Sequence, residues 1–551
     1  VLLTQFGDAD AFSGVSIRGS TLRQVAVYLD GIPLNPDGNE AVNLTEWPMR
    51  SLERIEIYRG NAPATLGGAA MGGAIQLISS DTQTPFSGGI TGNTTGRATL
   101  DAYTQVPIGP DSSKNSITVF NELLHSEGEY RYFSDNGTPF NRTDDARPLR
   151  RNNQVQNIGG LARWNGVFGS TRIVVLDSWM FRGQELPGHI NNPSKESRLD
   201  TQRNLLAASM QRTADAQRLN TSAWYLFRED QYDDSANELG LSAQRSVQTN
   251  QNFGGRLHHS IALLPWLGLG YLVGSQSDQP EKSSLLTGEN FDLPGRWVNT
   301  AALDLSADSN VFGIKPVVQA THLLGQTGAQ ASMVSVDPRL GVRYRPFESA
   351  TLRGNVGRFL RPPTMTELYG DRGNMAGNPE LGPERGLQWD VGLRSKVGDE
   401  SGFHGSVDLG HFWNSSRDRI TWVQNGQKTF KPTNFGRTWV QGLEMALDAN
   451  WVNTLQAAAS LTWTQSRNLD SAPALANKQL PGVPAWTGWS NLSWAVFEER
   501  LRVSYGYRHT GPNFWDATNW HKSAARNFHD LAIQVRPGSA PFHAEFSVQN
   551  I

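Results

Sequence analysis

The sequence predicts an all-β membrane barrel of about 22 antiparallel strands, whose lumen is occluded by an N-terminal α+β plug domain. Two observations support this fold class. After residue 85, segments of about ten residues alternate in polarity, and short turns alternate with long polar loops. Before residue 80 the texture is different, with short β-type runs between Gly-rich loops. A barrel of this width is too wide to be filled by its own side chains, so a separate segment must occupy it.

Residues 1–80 are assigned to the plug domain and residues 81–551 to the barrel. The plug contains three β-type runs, Val25 to Leu29, Ile55 to Tyr58 and Ala74 to Ile78. The first two are expected to pair in a small sheet, because an isolated hairpin is only marginally stable. Residues 47–54 are predicted to be helix-like, with Pro48 in the first turn, where a proline is tolerated because its missing N–H is not needed.

The barrel strands are predicted from two-residue periodicity, of which residues 387–394 are the clearest case. Leu387, Trp389, Val391 and Leu393 share one face, and Gln388, Asp390, Gly392 and Arg394 share the other. The same split recurs at residues 443–448 and 501–508. One face suits lipid and the other suits a watery lumen, although a soluble sandwich also alternates.

Connection lengths distinguish the barrel from a sandwich. Short turns are predicted at residues 107–115, 167–170, 214–218, 264–267, 307–310, 346–350, 396–402, 450–454, 497–500 and 536–541. Long loops lie between them, so the short turns should share one barrel end. Ten short turns place about 21 strands in the chain, and an even total of about 22 would put the last strand after Ile551.

Composition excludes several classes of protein. The 551 residues contain no cysteine, which excludes disulfides, thiolate metal sites and a cysteine nucleophile. A net charge of −3 offers no basic surface for nucleic acid. Mean hydropathy is −0.45, and no run reaches the roughly 18 apolar residues of a membrane helix.

Several motifs resemble the TonB-dependent outer-membrane receptor family, in the family's order. In the plug they are SIRGS (16–20), VAVYLDGIPLN (25–35), VNLTEWPMRSLERIEIYRG (42–60) and ATLGGAAMGGAIQLIS (64–79). In the barrel they are FSDNGTPFNRTDD (133–145), FLRPPTMTELYG (359–370), GNPELGPE (377–384) and QGLEMAL (441–447). The family's TonB box would precede Val1.

The resemblance implies energised uptake across the bacterial outer membrane rather than enzymatic catalysis. The implied partners are TonB with its inner-membrane energising complex, a metal-chelate ligand and outer-membrane lipid. A ferric siderophore is the preferred ligand, and a cobalamin-like corrinoid is the alternative. Haem is disfavoured because residues 359–370 lack the histidine of an axial ligand. No resident cofactor or metal is expected.

The resemblance also implies that apical plug loops and extracellular barrel loops contact the ligand. The matching positions are Asn35, Pro36, Asp37, Asn39 and Glu40 in the plug and Tyr369, Arg372, Trp515 and Trp520 in the barrel. Exposed loop residues outnumber ligand contacts in any transporter, so ordinary loop surface is the competing interpretation.

A plug–barrel lock is the second implied site. Arg18 and Arg59 fall at family positions where plug arginines meet wall carboxylates, and alternation independently places Asp390 and Glu444 in the lumen. The family more often has glutamate at the position of Asp390, so the shorter side chain leaves room for water. The alternative is that all four charges face lumen water without pairing.

Two further motifs have competing interpretations. Gly67, Gly68, Gly72 and Gly73 suit a tightly packed plug loop, whereas a phosphate-binding loop would need a following lysine. In the 133–145 loop, Asp135, Asn136, Asp144 and Asp145 could supply oxygen ligands to Ca²⁺. Asp-Asn-Gly is foremost a turn signal, so the turn is preferred.

Other classes of protein stay open at this point. An outer-membrane barrel enzyme would not need an N-terminal plug, and no G-x-S-x-G motif appears in the required context. A passive porin or adhesin would show no energy dependence. A soluble β-propeller is the rival fold.

Overall fold

The computed structural model describes residues 2–5, 10–35, 41–60, 62–67, 71–81, 86–109, 115–138, 140–325, 332–398, 402–424, 429–452, 454–497, 500–538 and 542–550. The plug contains six strands, β1 (Leu2–Gln5), β2 (Ser13–Ser16), β3 (Val25–Leu29), β4 (Ile32–Pro33), β5 (Leu52–Tyr58) and β6 (Gly73–Ser79). Four 3₁₀ turns are described between them, at Leu22–Gln24, Leu44–Glu46, Met49–Ser51 and Ala64–Leu66. Strands β1 and β2 pair with each other, and the other four form a sheet in the order β4-β3-β6-β5.

Two sequence-based expectations for the plug are wrong. Strands β3 and β5 do not pair directly, because β6 lies between them, parallel to β3 and antiparallel to β5. Most residues of β6 are buried, with Ala74 and Leu77 almost completely so, whereas β5 is largely exposed, which suits β6 to the centre of the sheet and β5 to its edge. Residues 47–54 form no α-helix, since the alternating sequence from Leu52 onward continues as β5.

The rest of the described chain is almost entirely β-structure. Its strands, in chain order, are β7 (Phe86–Gly92), β8 (Arg97–Pro107), β9 (Ser116–Ser126), β10 (Val155–Phe168), β11 (Thr171–Glu185), β12 (Gly188–His189), β13 (Asn192–Pro193), β14 (Arg198–Ala214), β15 (Gln217–Asp234), β16 (Gln244–Leu264), β17 (Leu267–Ser284), β18 (Asn290–Phe291), β19 (Arg296–Asp308), β20 (Phe312–Leu324), β21 (Ser332–Phe347), β22 (Ala350–Arg361), β23 (Asp371–Arg372), β24 (Met375–Ala376), β25 (Glu384–Gly398), β26 (Phe403–Gln424), β27 (Phe430–Trp451), β28 (Leu455–Asn468), β29 (Trp486–Val496), β30 (Leu501–Thr510), β31 (Asn513–Phe514), β32 (Lys522–Ser523), β33 (Arg526–Val535) and β34 (Ala544–Gln549). One short helix, α1 (Met365–Tyr369), lies between β22 and β23. Within the described ranges, no helix has the length and apolarity of a membrane span.

The long strands form a closed barrel. Twenty-one of them are present among the described residues, in agreement with the sequence-based count, and the ring order returns from β34 to β7. Consecutive long strands from β7 to β34 pair antiparallel. All ten predicted short turns join alternate pairs, so they share one end, as expected.

Several strands are longer than the 9 to 11 residues expected of a spanning strand. Strands β26 and β27 each have 22 residues. Parts of the predicted long loops are therefore paired extensions of the barrel wall. Alternation is confirmed: Leu387 and Val391 are exposed on the outer surface, whereas Gln388 and Asp390 are buried against the lumen.

The plug lies inside the barrel. Its core residues, among them Ile17, Trp47 and Ile75, pack in one apolar cluster with inward side chains of the wall such as Leu161 and Leu205. Wall side chains contact the plug from strands spread around the ring. The contacts are Arg97 with Asp10, Arg228 with Glu46, Arg256 with the Leu66 carbonyl, Glu384 with Gln24 and Glu444 with Arg18.

Candidate functional site

The plug–barrel cluster is built around Glu444 on β27. The Nη2 and Nε of Arg18 donate to Glu444 Oε2 at 2.8 and 3.1 Å, and the Nη1 of Arg59 reaches the same oxygen at 3.4 Å. Arg18 also lies over the ring of Phe412, 5.1 Å from its centroid. The side chains of Arg18 and Glu444 are only 7% and 5% exposed, so this pair is shielded from water.

Asp390 occupies the edge of the cluster. Its Oδ2 lies 3.5 Å from Arg18 Nη1, longer than a charge-assisted hydrogen bond. The amide of Asn355 instead donates to both of its oxygens, at 3.0 and 3.1 Å. Gly60 has a φ of +104°, and a Cβ there would lie 3.1 Å from Asp390 Oδ2, so glycine permits this close approach. The four residues implied to form a lock therefore lie together, with Asp390 as the weakest member.

A cavity of about 390 Å³ lies between the plug and the wall at the long-loop end. The plug contributes Asn43, Glu46 and Trp47, and the loop after α1 contributes Arg372 and Met375. Inward residues of β14, β15 and β16 form a further part of its wall; they are Leu199, Arg203, Leu226, Arg228, Asp230, Gln248 and Asn250. A cavity with a few convergent polar groups is the usual form of a ligand site.

Ion pairs hold several cavity residues in place. Arg228 contacts Glu46 Oε2 at 2.6 Å and Asp230 at 3.1 Å. Arg372 contacts Asp230 at 3.2 Å from the loop that crosses from β22. Asn43 caps the 3₁₀ turn that presents Glu46, because its side chain accepts the backbone N–H of Thr45. The cavity is thus lined by groups from three separate parts of the chain.

The predicted ligand residues have different environments. Arg372 lines the cavity, whereas Asn35 is buried and supports the plug backbone through Val27 N and Val25 O. Tyr369 packs beside the apolar cluster of Met365, Leu368, Leu381 and Ile420. Trp515 and Trp520 are exposed, at 64% and 83%, in the loop between β30 and β33. Pro36, Asp37, Asn39 and Glu40 lie outside the described residues.

The motif FLRPPTMTELYG contains a buried ion cluster that sequence reasoning missed. Arg361 contacts Glu367 at 2.9 Å and Glu384 at 2.9 Å, and all three are at most 5% exposed. Glu384 also accepts from Gln24 of the plug at 2.7 Å and from Ile420 N at 2.6 Å. The only sequence signal was that this motif lies close to GNPELGPE in the chain. The pairing of Arg361 with Glu384 could not be predicted without knowing the register between β22 and β25.

The two motifs with competing interpretations contain turns, although Gly68 of the glycine motif lies outside the described residues. A Cβ at Gly73 would lie 2.2 Å from the Tyr58 carbonyl oxygen, so glycine is required for this packing. In the 133–145 loop, Asp135 accepts the backbone N–H of Gly137 at 3.0 Å, and Asn136 is left-handed with a φ of 53°. Asp144 accepts from Thr138 at 2.7 Å. Among the described residues, no group of three or more His, Asp or Glu side chains could hold a metal ion.

Glu238 joins two extracellular loops. Its Oε2 accepts from Ser194 Oγ at 2.8 Å, Lys195 N at 2.8 Å, Glu196 N at 2.9 Å and Ser197 Oγ at 3.2 Å. Burial alone would raise the pKa of Glu238, but these donors outweigh it and lower the pKa from 4.5 to about 2. The loop contact is therefore fully stabilised above pH 4.5 and is lost as the pH falls towards 2.

We expect this loop contact to open in acid. Because the chain has no cysteine, spin labels can be attached to Asn191→Cys and Ala236→Cys, at exposed positions in the two loops. The distance distribution measured by electron spin resonance should be narrow at pH 7 and broaden between pH 4.5 and about 2. Glu238→Gln should broaden it already at pH 7. An unchanged narrow distribution at pH 2 would contradict the assignment.

Comparisons with known proteins agree with this architecture. A family model described as TonB dependent receptor-like, beta-barrel matches residues 129–551, and one described as TonB-dependent Receptor Plug Domain matches residues 2–74. The vitamin B12 transporter BtuB of Vibrio vulnificus is 22% identical over 446 residues, 80% of this chain and 66% of the relative. The chain thus spans slightly less than two thirds of that curated relative.

Solved structures show the same fold at low identity. The siderophore receptor PirA from Acinetobacter baumannii has a TM-score of 0.76 and 14% identity, with 100% of this chain and 90% of that chain covered. The FrpB iron transporter from Neisseria meningitidis has a TM-score of 0.75 and 15% identity, with the same coverage of 100% and 90%. Because the barrel model alone matches more than half of the sequence, the chain belongs to the TonB-dependent receptor family of the bacterial outer membrane, a family of receptors and transporters rather than enzymes.

Proposed function

We propose that this chain imports a scarce metal chelate across the outer membrane, with a ferric siderophore as the preferred ligand. The observation that carries the proposal is the cavity between plug and loops, which includes Arg372. The cavity lies at the long-loop end, and the Arg18–Glu444 pair fixes the plug to the wall outside that cavity. A ligand bound in this cavity could not pass the barrel until the plug is released from the wall. This arrangement is what uptake driven by an energy source requires.

TonB, with its inner-membrane complex, is the proposed source of that energy, since both family models carry this dependence. The ligand class has two candidates. A siderophore receptor and an iron transporter share the fold, which favours an iron chelate. The sequence match to a vitamin B12 transporter favours a corrinoid as the second candidate.

Radiolabelled uptake separates the candidates. Cells that lack their own receptors and express this chain would be given iron-55 siderophores or cobalt-57 cyanocobalamin, with and without a protonophore. We expect accumulation of an iron chelate that stops when the proton-motive force is collapsed or tonB is deleted. Arg198→Ala, which alters an exposed arginine on the same wall strand as the cavity residue Arg203, should leave uptake unchanged.

The other outcomes are distinct. Accumulation of cyanocobalamin alone would transfer the proposal to the corrinoid. Uptake that persists without TonB would indicate a passive porin and contradict the proposal.

A further inference from the structure

The charges that line the cavity are unbalanced. Among the described lining residues, four arginines, Arg23, Arg203, Arg228 and Arg372, accompany only two carboxylates, Glu46 and Asp230. Both carboxylates are already engaged. Glu46 contacts Arg228, and Asp230 contacts Arg228 and Arg372. The described lining therefore has a formal excess of positive charge.

Arg203 is the lining arginine for which the described residues supply no direct ion pair. It projects inward from β14 and is only 4% exposed. Its Nη2 donates to Ser178 Oγ at 3.2 Å, but Nε and Nη1 have no hydrogen-bond partner among the described residues. No described carboxylate lies within ion-pair distance of it, whereas the neighbouring Arg228 has two such contacts.

The plug holds Arg203 in position through an aromatic contact rather than a direct ion pair. Its guanidinium carbon lies 3.4 Å from the ring centroid of Trp47, a cation–π contact that fixes the plane of the group. Glu46 and Trp47 are consecutive in the plug. The Trp47 ring contacts Arg203, whereas the Glu46 carboxylate pairs with Arg228. An unpaired buried cation is costly to maintain unless something else completes its environment.

We infer that Arg203 forms an anion subsite, and that the imported chelate presents a negatively charged oxygen group to it. This inference rests on the proposed function, because it names the chemistry of the ligand in the same cavity. Carboxylate and catecholate oxygens both fit, since each accepts charge-assisted hydrogen bonds from guanidinium N–H groups. A chelate of net negative charge is thus favoured over a net-neutral corrinoid.

Through this subsite, Trp47 would transmit the binding of a ligand to the plug. A bound anion would compete with the indole face for Arg203, and Trp47 belongs to the apolar cluster that seats the plug in the wall. Ligand binding would therefore act on the plug residue that immediately follows the Asn43-capped turn.

Binding by the purified full chain tests the subsite without transport. Isothermal titration would use three anions, iron(III)–citrate, an iron(III) tris-catecholate and iron-free citrate, and one cation, iron(III)–desferrioxamine B. Arg203→Met keeps much of the side-chain volume against Trp47 and removes the charge. Arg198→Met is the matched control, because Arg198 lies on the same strand and is 55% exposed at its side chain.

We expect Arg203→Met to weaken binding of at least one anion about tenfold to a hundredfold, as for loss of a charged hydrogen bond. Arg203→Lys should restore part of that loss, and Arg198→Met should leave it within about twofold of wild type. Equal anion binding by wild type and Arg203→Met, or no anion binding by wild type, would overturn the inference. Arg203-dependent binding combined with TonB-independent uptake would instead overturn only the proposed transport function.

Discussion

Replacing Glu444 by alanine is expected to make the outer membrane leaky to bulky antibiotics while leaving ligand affinity nearly unchanged. Glu444 is the shared partner of Arg18 and Arg59, and Arg18 is shielded from water. Removing one member of a buried ion pair costs about 3–5 kcal/mol, because it leaves an uncompensated charge. A loss of about 3 kcal/mol raises the population of unseated plugs about a hundredfold.

The leak can be measured as vancomycin sensitivity of expressing cells and as conductance of the purified protein in planar bilayers. Ligand affinity should persist because none of the four cluster residues lines the long-loop cavity. Asp408→Ala is a matched control. Asp408 is a lumen-side carboxylate on β26 whose ion pair at 2.5 Å, with Arg353, lies within the wall.

Two outcomes would sink the lock hypothesis. One is unchanged vancomycin sensitivity in Glu444→Ala cells that make a normal amount of receptor. The other is an equal rise for Asp408→Ala, since a general weakening of the wall would then explain the leak. Asp390→Ala should raise vancomycin sensitivity less than Glu444→Ala does. Arg18 lies 3.5 Å from Asp390, and Asp390 accepts its hydrogen bonds from Asn355 instead.

The barrel could be read from sequence because its signals are local. A two-residue period determines which face each residue takes, so Asp390 and Glu444 could be placed in the lumen before their partners were known. Turn length likewise determines which strand ends share a side of the barrel. The positions of Arg18 and Arg59 came instead from family resemblance, since nothing local to the plug indicates which wall strand it meets.

The parts that sequence could not supply depend on pairing between distant segments. The central position of β6 follows from a parallel pairing with β3. Two-residue periodicity cannot reveal such a partner. The cavity brings Trp47 of the plug against Arg203 of β14. That Arg203 has no direct ion pair among the described residues is visible only when the neighbouring pairs are assigned. Asn35 was expected at the ligand because the family resemblance places it in an apical plug loop, yet its side-chain amide is hydrogen-bonded to the backbone of Val25 and Val27.

Replacing Glu384 by alanine is expected to produce the largest loss of stability among single changes in the wall. Glu384 is completely buried, and its two oxygens accept from Arg361 at 2.9 and 3.0 Å, from Gln24 at 2.7 Å and from Ile420 N at 2.6 Å. The substitution leaves Arg361 with Glu367 alone and leaves two further buried donors without an acceptor. The free energy of unfolding should fall by about 3–5 kcal/mol.

The loss should appear first in the segment between β22 and β25. That segment contains α1, whose capping box joins Thr364 to Glu367, and Glu367 is held in turn by Arg361 at 2.9 Å. Limited proteolysis should therefore cut residues 362–383 in Glu384→Ala before the barrel itself unfolds in urea or on heating. Glu380→Ala changes an exposed carboxylate in the same segment and should behave as wild type.

An apolar replacement of the whole ion cluster can show whether the cluster stabilises only the wall or also attaches the plug. A buried ion cluster can often be replaced by apolar residues of similar volume at little cost, whereas removal of one member leaves a buried charge. Arg361→Met combined with Glu367→Leu and Glu384→Leu should thus recover much of the wall stability that Glu384→Ala loses. It should not recover the contact with Gln24, because a leucine at position 384 cannot accept a hydrogen bond from the side-chain amide of Gln24. If the triple variant seats its plug as firmly as wild type, measured by the same vancomycin assay, the cluster serves only the wall. If the wall is stable but the plug leaks, Glu384 fastens Gln24 as a second attachment point beside Glu444.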